Sequence, residues 1–382
     1  MKNLASAGST CVLAVLLILL LIGCGGVRSS SAPAPTPTPV PPGATPTPTP
    51  AAAHGTFVYF NNSASQVTGY RLNPDGTLSP LAGSPFTING ALAAAGSFLA
   101  VSSGSTVSTY MVDSSSGALT NTGSAAVVQA SGITADARNV YVSGSIPAST
   151  STGVYGFALA ANGALTPLAG SPYVFTQACD FCDVPFALAL NNNFLIQGGV
   201  GFHGVGDFTV YPRGAGGVLS KAQILGTDAE ESVTIQRPAG KFAYALNTDD
   251  FSLNEYTIDA SGKPSPGMQM FFNGAQNITI DTTGKFLLLV DNTGVVHVLT
   301  IDPSNGNFSQ IGTSEAAGSN PGGMAMDPSG HFIFVPQAAN PNFAGSTNQI
   351  TVFTFDPATG MVKKLQPFPQ PGPPGGVVVI AR

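Results

Sequence analysis

From Gly55 to Arg382 the chain alternates short apolar runs with polar turns that contain glycine. Seven of the runs open on an aromatic or aliphatic residue: FVYFN at 57, FLAVS at 98, VYVSG at 140, FLIQG at 194, FAYAL at 242, FLLLV at 286 and FIFVP at 332. Six of the seven follow a short polar or Gly turn, such as DTTGK before Phe286 and DPSGH before Phe332. Another short run precedes those turns, as in NITID at 277–281 and PGGMAMD at 321–327. Runs such as FLLLV carry apolar residues at consecutive positions, so both faces of the strand are buried.

A second turn follows each of these seven strands, between two further strand-like runs, as in VTGYRLNPDGTLSPL and VHVLTIDPSNGNFSQI. Its glycines are Gly76, Gly117, Gly163, Gly217, Gly262, Gly306 and Gly360, spaced 41 to 54 residues apart. Glycine at the end of Asn-Pro-Asp-Gly suits a hairpin position with positive φ. Each unit therefore reads as four short strands in about 47 residues, which is the signature of a propeller. The near-identical LSPLAGSPF at 78–86 and LTPLAGSPY at 165–173 fall at the same place in two units. They are expected to be outer strands with a Gly-Ser-Pro exit, that is, repeat markers. The first unit lacks its leading strand, and PPGGVVVI at 373–380 resembles the NPGGMAMD of the seventh with nothing after it. The expected fold is all-β: a seven-bladed β-propeller with four antiparallel strands per blade, closed by the C-terminal strand pairing into the first blade. Closure of this kind removes exposed edges.

The N-terminal residues read differently. After Met1-Lys2-Asn3, the apolar run Val12–Ile22 is too short to span a bilayer comfortably and reads as a signal-peptide core. Leu21-Ile22-Gly23-Cys24 resembles the lipobox of bacterial lipoproteins. Residues 1–23 are then a lipoprotein signal peptide, and Cys24 is the lipidated first residue of the mature chain. Gly25, rather than Asp, follows Cys24 and favours the outer membrane or cell surface within the envelope. Residues 24–54 form a Pro/Thr/Ala-rich linker that cannot enter helix or sheet and extends about 3 Å per residue. Residues 55–382 are the propeller.

Charge narrows the choice of partners. Only 8% of residues are charged, the formal net charge is −6, and 13 Lys and Arg form no basic run, so nucleic acid is excluded as a partner. The aromatic strand, the Asp-Pro-x-x-Gly turn and the G-x-L-x-P-L-x-G-S-P outer strand resemble the seven-bladed lactonase-like propellers, which include bacterial 6-phosphogluconolactonases and fungal muconate cycloisomerases. That resemblance covers residues 55–382. It implies a lactonase with His, Arg and Glu at the ends of inner strands. The corresponding segments here read VPFALAL, SVTIQRP, NITIDTT and GGMAMDP, and only Arg237 matches.

Strands 1–2 and 3–4 of a blade are joined at one end of a propeller; strands 2–3 and successive blades are joined at the other. Long connections concentrate at the second end, at 143–152, 197–207 and 337–348 in blades 3, 4 and 7, with 176–183 and 226–232 between blades. That end is expected to bind an unidentified small-molecule or protein ligand. His203 lies in a Gly-rich connection there, and Glu230 and Glu231 are adjacent carboxylates suited to base or metal-ligand roles. Each has a plainer reading as a solvated loop residue. Cys179 and Cys182, spaced C-D-F-C, are expected to form a local disulfide in an oxidising envelope; a zinc site would need two more ligands, and no metal or other cofactor is expected. The first reading of function is a monomeric, lipid-anchored, non-catalytic binding module. The alternative is a lactonase-type hydrolase acting on a sugar or other cyclic-ester lactone through His203, Glu230, Glu231 and Arg237. Replacing Cys24 tests the anchor: C24S protein is expected to leave the membrane fraction in detergent partitioning or to accumulate as precursor. Processed mutant still held in the membrane would sink that reading.

Overall fold

The computed structural model describes residues 55–382 except 63–64, 148–151, 175–183, 201–205, 228–231, 238, 315, 319, 340–346 and 371. Seven antiparallel sheets are arranged in a ring. The inner strands, in order of blades 2 to 7, are Ala91–Ala95, Gly132–Ala135, Val184–Leu190, Ser232–Ile235, Ala275–Ile280 and Ala325–Met326. Blade 1 is composite. Its inner strand Pro374–Ala381 pairs antiparallel with Thr56–Asn62, which is followed outward by Gln66–Leu72 and Leu78–Pro80. Phe57 lies opposite Ile380 and Tyr59 opposite Val378. The register shifts between Phe60 and Asn62, where Gly375 and Gly376 leave room for the Asn61 side chain. The expected closure is thus the one found.

The core lies between blades, which is why strands are apolar on both faces. Phe57, Tyr59, Leu99 and Val101 fill the space between blades 1 and 2. Tyr244, Leu246, Leu287 and Leu289 fill that between blades 5 and 6, and Leu288, Val290, Ile333 and Val335 that between blades 6 and 7. All seven turn glycines have positive φ, from 72° to 88°. Each also sits against the preceding blade: a Cβ on Gly117 would lie 2.5 Å from the Phe57 ring, and one on Gly306 2.4 Å from that of Phe242. The Tyr59 hydroxyl donates to the Gly117 carbonyl at 2.6 Å, Tyr141 to Gly217 at 2.5 Å and Tyr244 to Gly306 at 2.9 Å.

The twin phrases are structural, with one difference from expectation. The outer strands stop at Pro80 and Pro167, before Leu-Ala-Gly-Ser. The phrase itself is a turn tied to the neighbouring strand. The Leu81 amide donates to the Gly69 carbonyl at 3.0 Å, and the Gly69 amide to Ser84 Oγ at 3.0 Å. Leu168, Gly156 and Ser171 repeat this at 2.9 and 3.0 Å. Phe86 and Tyr173 then rejoin the sheet. The hydroxyl takes a backbone donor that the interrupted strand would otherwise leave unpaired. The connections in blades 3 and 4 are also shorter than expected. Strands run to Ser145 and Val200 and resume at Thr152 and Gly206, because backbone pairing does not require a side chain at Gly144, Gly198 or Gly199.

Aspartates hold the tight turns. Asp281 accepts the amides of Lys285 and Phe286 at 2.8 Å each and that of Thr283 at 2.9 Å. Asp327 does the same for Ser329, His331 and Phe332. At the other end of blade 6, Asp291 accepts the Thr293 and Val295 amides and the Thr293 hydroxyl, and its second oxygen meets His297 Nε2 at 2.9 Å. Burial pushes the Asp291 pKa up, but bonds from Thr293, His297 and the Val295 amide outweigh it and hold the value below the usual 3.8.

A lowered folded-state pKa contributes stability that is present above the unfolded value, near 4, and lost as pH falls below it. Asp291→Asn is therefore expected to cost about 1 kcal/mol at pH 7, a deficit that shrinks below pH 4. Urea unfolding at both pH values checks it, and an unchanged deficit at pH 3 would contradict the assignment. Truncation before Pro371 removes the partner of Thr56–Asn62 and the buried Val379 and Ile380. It is expected to give aggregated or unfolded protein, whereas deleting residues 32–50 leaves thermal unfolding unchanged. A truncated chain that melts like the parent would contradict closure by this strand.

Candidate functional site

The inner strands surround a central channel. Its described part is a cavity of about 520 Å³ with an apolar wall that includes Leu92, Ile133, Ile280, Met326, Val377 and Val379. Thr234, Thr279 and Thr282 add hydroxyls. Arg237 is the cation in this lining, and Asp281 and Asp327 are its carboxylates.

Arg237 lies two residues past Ile235, the last residue of its inner strand, in the turn to Phe242–Asn247. This places it at the hairpin end, where strands 1–2 and 3–4 are joined. Two arginines near this end contrast. Arg213 is ion-paired with Asp136 and donates to the Tyr141 hydroxyl at 3.0 Å and the Asn191 carbonyl at 3.0 Å; burial opposes its charge, yet these partners raise its pKa. Arg237 has no hydrogen-bond partner among the described residues. It is in contact with solvent inside the channel but ringed by protein, and this loss of hydration lowers its pKa, with Asp136 pulling the other way. It remains a cation at neutral pH. The carboxylates near it are engaged: Asp136 by Arg213 and the Arg138 and Asn139 amides, and Asp281 and Asp327 by their turns. The hairpin end thus offers a fixed positive charge and, among the described residues, no unengaged carboxylate base beside it.

The loop end is polar in another way. Toward that end the second strands carry Asn61, Ser102, Ser143, Gln197, Asn247, Asp291 and Gln337. Asn61 Nδ2 donates to the Gly90 carbonyl at 3.1 Å; Gln337 Oε1 accepts from Gln349 Nε2 at 2.8 Å. Asn61 Oδ1 and Gln337 Nε2 are buried with no partner among the described residues. The two Pro-Gly-Gly segments meet at this mouth: a Cβ on Gly322 would lie 2.9 Å from the Pro374 carbonyl oxygen, so glycine is needed there.

His203, Glu230, Glu231, Cys179 and Cys182 lie outside the described residues, as does Cys24. In sequence, Glu230 and Glu231 precede Ser232, the loop-end start of the strand whose far end leads to Arg237. Arg237 is therefore separated from the loop end by the length of an inner strand. The position was legible in sequence, since Arg-Pro-Ala-Gly-Lys is a turn of the strand 1–2 type.

Charge is also divided between the two ends. Every Lys and Arg of residues 55–382 is described, eleven in all, and ten of them lie at the hairpin end. Arg138, Arg237, Lys241 and Lys285 occupy strand 1–2 turns, and Lys263 a strand 3–4 turn. Arg71, Arg213 and Arg382 lie at strand ends there, and Lys221 and Lys363 lie at or before the start of outer strands; Lys364 ends the strand Val362–Lys364, and its Nζ donates to the Ala316 carbonyl, in the connection between blades 6 and 7, at 2.7 Å. Among the described residues the loop end carries Asp207, Asp249, Asp250 and Asp291, and the Lys364 ammonium reaches its connection between blades 6 and 7. Sequence reasoning missed this division, although the blade assignment contained it.

Residues 242–379 match the family described as lactonase, 7-bladed beta-propeller. The chain is 34% identical over 140 residues to a 6-phosphogluconolactonase of Formosa agariphila, a match covering 33% of this chain and 36% of that relative's length. Among solved structures, the periplasmic gluconolactonase of Pseudomonas aeruginosa superposes with a TM-score of 0.68 at 17% identity, over 86% of this chain and 99% of that one. A protein from Lactobacillus plantarum gives 0.66 at 16% identity, over 86% and 99%. At these identities the structural likeness speaks for the fold alone. Blade count, strand order and closure make this chain a seven-bladed β-propeller, and its residues 242–379, over blades 5 to 7, are similar to the lactonase family of that fold.

Proposed function

We propose that the protein is a lactonase-type hydrolase that opens a sugar or other cyclic-ester lactone at the loop-end mouth of its channel. The observation that carries this reading is the match of residues 242–379 to a lactonase family, supported by a relative named for 6-phosphogluconolactone hydrolysis. The non-catalytic binding module, the first reading of the sequence, gives way to the hydrolase on that ground. The lipid-anchored envelope location stays part of the proposal, and the periplasmic gluconolactonase of similar fold is compatible with an envelope setting.

The step is simple to balance. Water oxygen bonds to the lactone carbonyl carbon, a base takes one water proton, and the ring carbon–oxygen bond breaks. The departing ring oxygen takes a proton, and the new carboxylic acid ionises, releasing one proton to solvent. His203 and Glu230 or Glu231 are the proposed base and acid. Arg237, at the far end of the channel, is too distant to touch a lactone held at the loop end.

Acid release from D-glucono-1,5-lactone by residues 55–382, a ring closed on itself, tests the activity. Base removal typically costs two to four orders of magnitude, so His203→Ala and the double variant Glu230→Gln/Glu231→Gln are expected to lose about a hundredfold or more in kcat. Arg237→Ala reports on location. A loss below about tenfold assigns the step to the loop end, and a hundredfold loss moves it beside Arg237. Failure to exceed the buffer rate with several lactones would remove the hydrolase reading.

A further inference from the structure

We propose that the hairpin half of the channel binds a small monocarboxylate with an apolar body, held by Arg237, at a site separate from the loop-end mouth where hydrolysis is placed. The cavity of about 520 Å³ takes its lining from the last residues of the inner strands and from the turns that follow them. Ile133 to Ala135 close the strand Gly132–Ala135, Thr279 and Ile280 close Ala275–Ile280, and Asp281, Thr282, Asp327 and Pro328 belong to the turns. Every residue of this lining is described. The volume falls within the roughly 300–1,000 Å³ of small-molecule pockets.

The polar groups that face this cavity are unspent. Arg237 makes no hydrogen bond or ion pair among the described residues, and the hydroxyls of Thr134, Thr234, Thr279 and Thr282 make no hydrogen bond there either. Asp281 and Asp327 are not partners for Arg237. Each accepts three backbone amides and one hydroxyl of its own turn. The carboxylate whose charge does act on Arg237 is Asp136, which is ion-paired with Arg213. A guanidinium ringed by protein and short of hydration gains from a planar oxyanion that accepts two parallel N–H bonds, and a carboxylate has that shape. The threonine hydroxyls supply donors for its remaining lone pairs. A single cation balances a monoanion. A phosphate calls for several cations or converging amides, and here it would meet two aspartates with one arginine. The rest of the ligand faces Leu92, Ile133, Met326, Val377 and Val379. Sugar hydroxyls would lose their water there without replacement, whereas an alkyl or aryl body gains from burial.

Calorimetric titration of residues 55–382, the ring closed by Pro374–Ala381, with octanoate tests the site. Octanoate is expected to bind saturably. Acetate, which lacks the apolar body, is expected to bind at least about a hundredfold more weakly. 1-Octanol lacks the charge, and its affinity is expected to be at least about tenfold lower. Arg237→Gln removes the cation without stranding a hydrogen-bond partner, so its melting temperature is expected to match the parent's while octanoate affinity falls at least about tenfold. Unchanged octanoate affinity in that variant overturns the assignment, as does gluconate or inorganic phosphate binding as tightly as octanoate. If the variant melts lower, the parent protein gives the answer through the methyl signals of Ile133, Ile280, Val377 and Val379. Saturable shifts of these signals by octanoate support occupation of the cavity, and their absence refutes it. Octanoate binding of this kind without hydrolysis of any lactone keeps the site and removes the hydrolase reading.

Discussion

The structure depends on a contact repeated from blade to blade: a glycine turn of one sheet lying against the first residues of the second strand in the sheet before it. Gly117 meets Phe57, Gly163 meets Phe98, Gly306 meets Phe242, Gly360 meets Phe286 and Gly76 meets Phe332. Two requirements coincide at these sites. The turn needs positive φ, which glycine supplies without strain, and the aromatic ring occupies the place a Cβ would take. A side chain there would both strain the turn and push adjacent blades apart. In three of the seven junctions a buried tyrosine hydroxyl donates to the same turn carbonyl, fixing the angle as well as the spacing. Burial leaves each of those hydroxyls un-ionised, with pKa values raised by desolvation. At the other two junctions different groups fill the space: Asn139 under Gly217, and Pro212 under Gly262 even though Phe194 leads the second strand of that blade.

Once blades are spaced this way, the ring must still be joined, and Pro374–Ala381 does so by lending the first blade its inner strand. The same geometry creates the channel and gives it two unlike ends. Short hairpins at one end bring capping aspartates and most of the lysines and arginines together. The other end receives the connections that the repeat does not constrain. An active site at the loop end would therefore use side chains free of structural duty, whereas Asp281 and Asp327 at the hairpin end are committed to holding their turns.

Much of the fold was legible because its signals are local. Blade number followed from the recurrence of Gly76 and its six counterparts, and closure from the kinship of PPGGVVVI and NPGGMAMD. The outer-strand phrase was recognised as a repeat marker with a Gly-Ser-Pro exit, but the strand ends sooner, before Leu81 and Leu168. A sequence pattern does not reveal that Ser84 and Ser171 take backbone donors and end the pairing at Pro80 and Pro167. The candidate site was less legible. Arg237 was grouped with loop-end residues by residue type, although the strand Ser232–Ile235 carries it to the other end of the channel.

The sequence by itself determined the element type, the seven-fold repeat and the strand that closes it, because each depends on residues within one repeat or on a comparison of repeats. The tertiary structure alone decided what is shared between repeats: the packing of turn glycines on neighbouring aromatics, the placement of Arg237 in the channel lining, and the pairing of Arg213 with Asp136. Those outcomes depend on the distance and rotation between blades, which are set by how side chains far apart in sequence fill a common space.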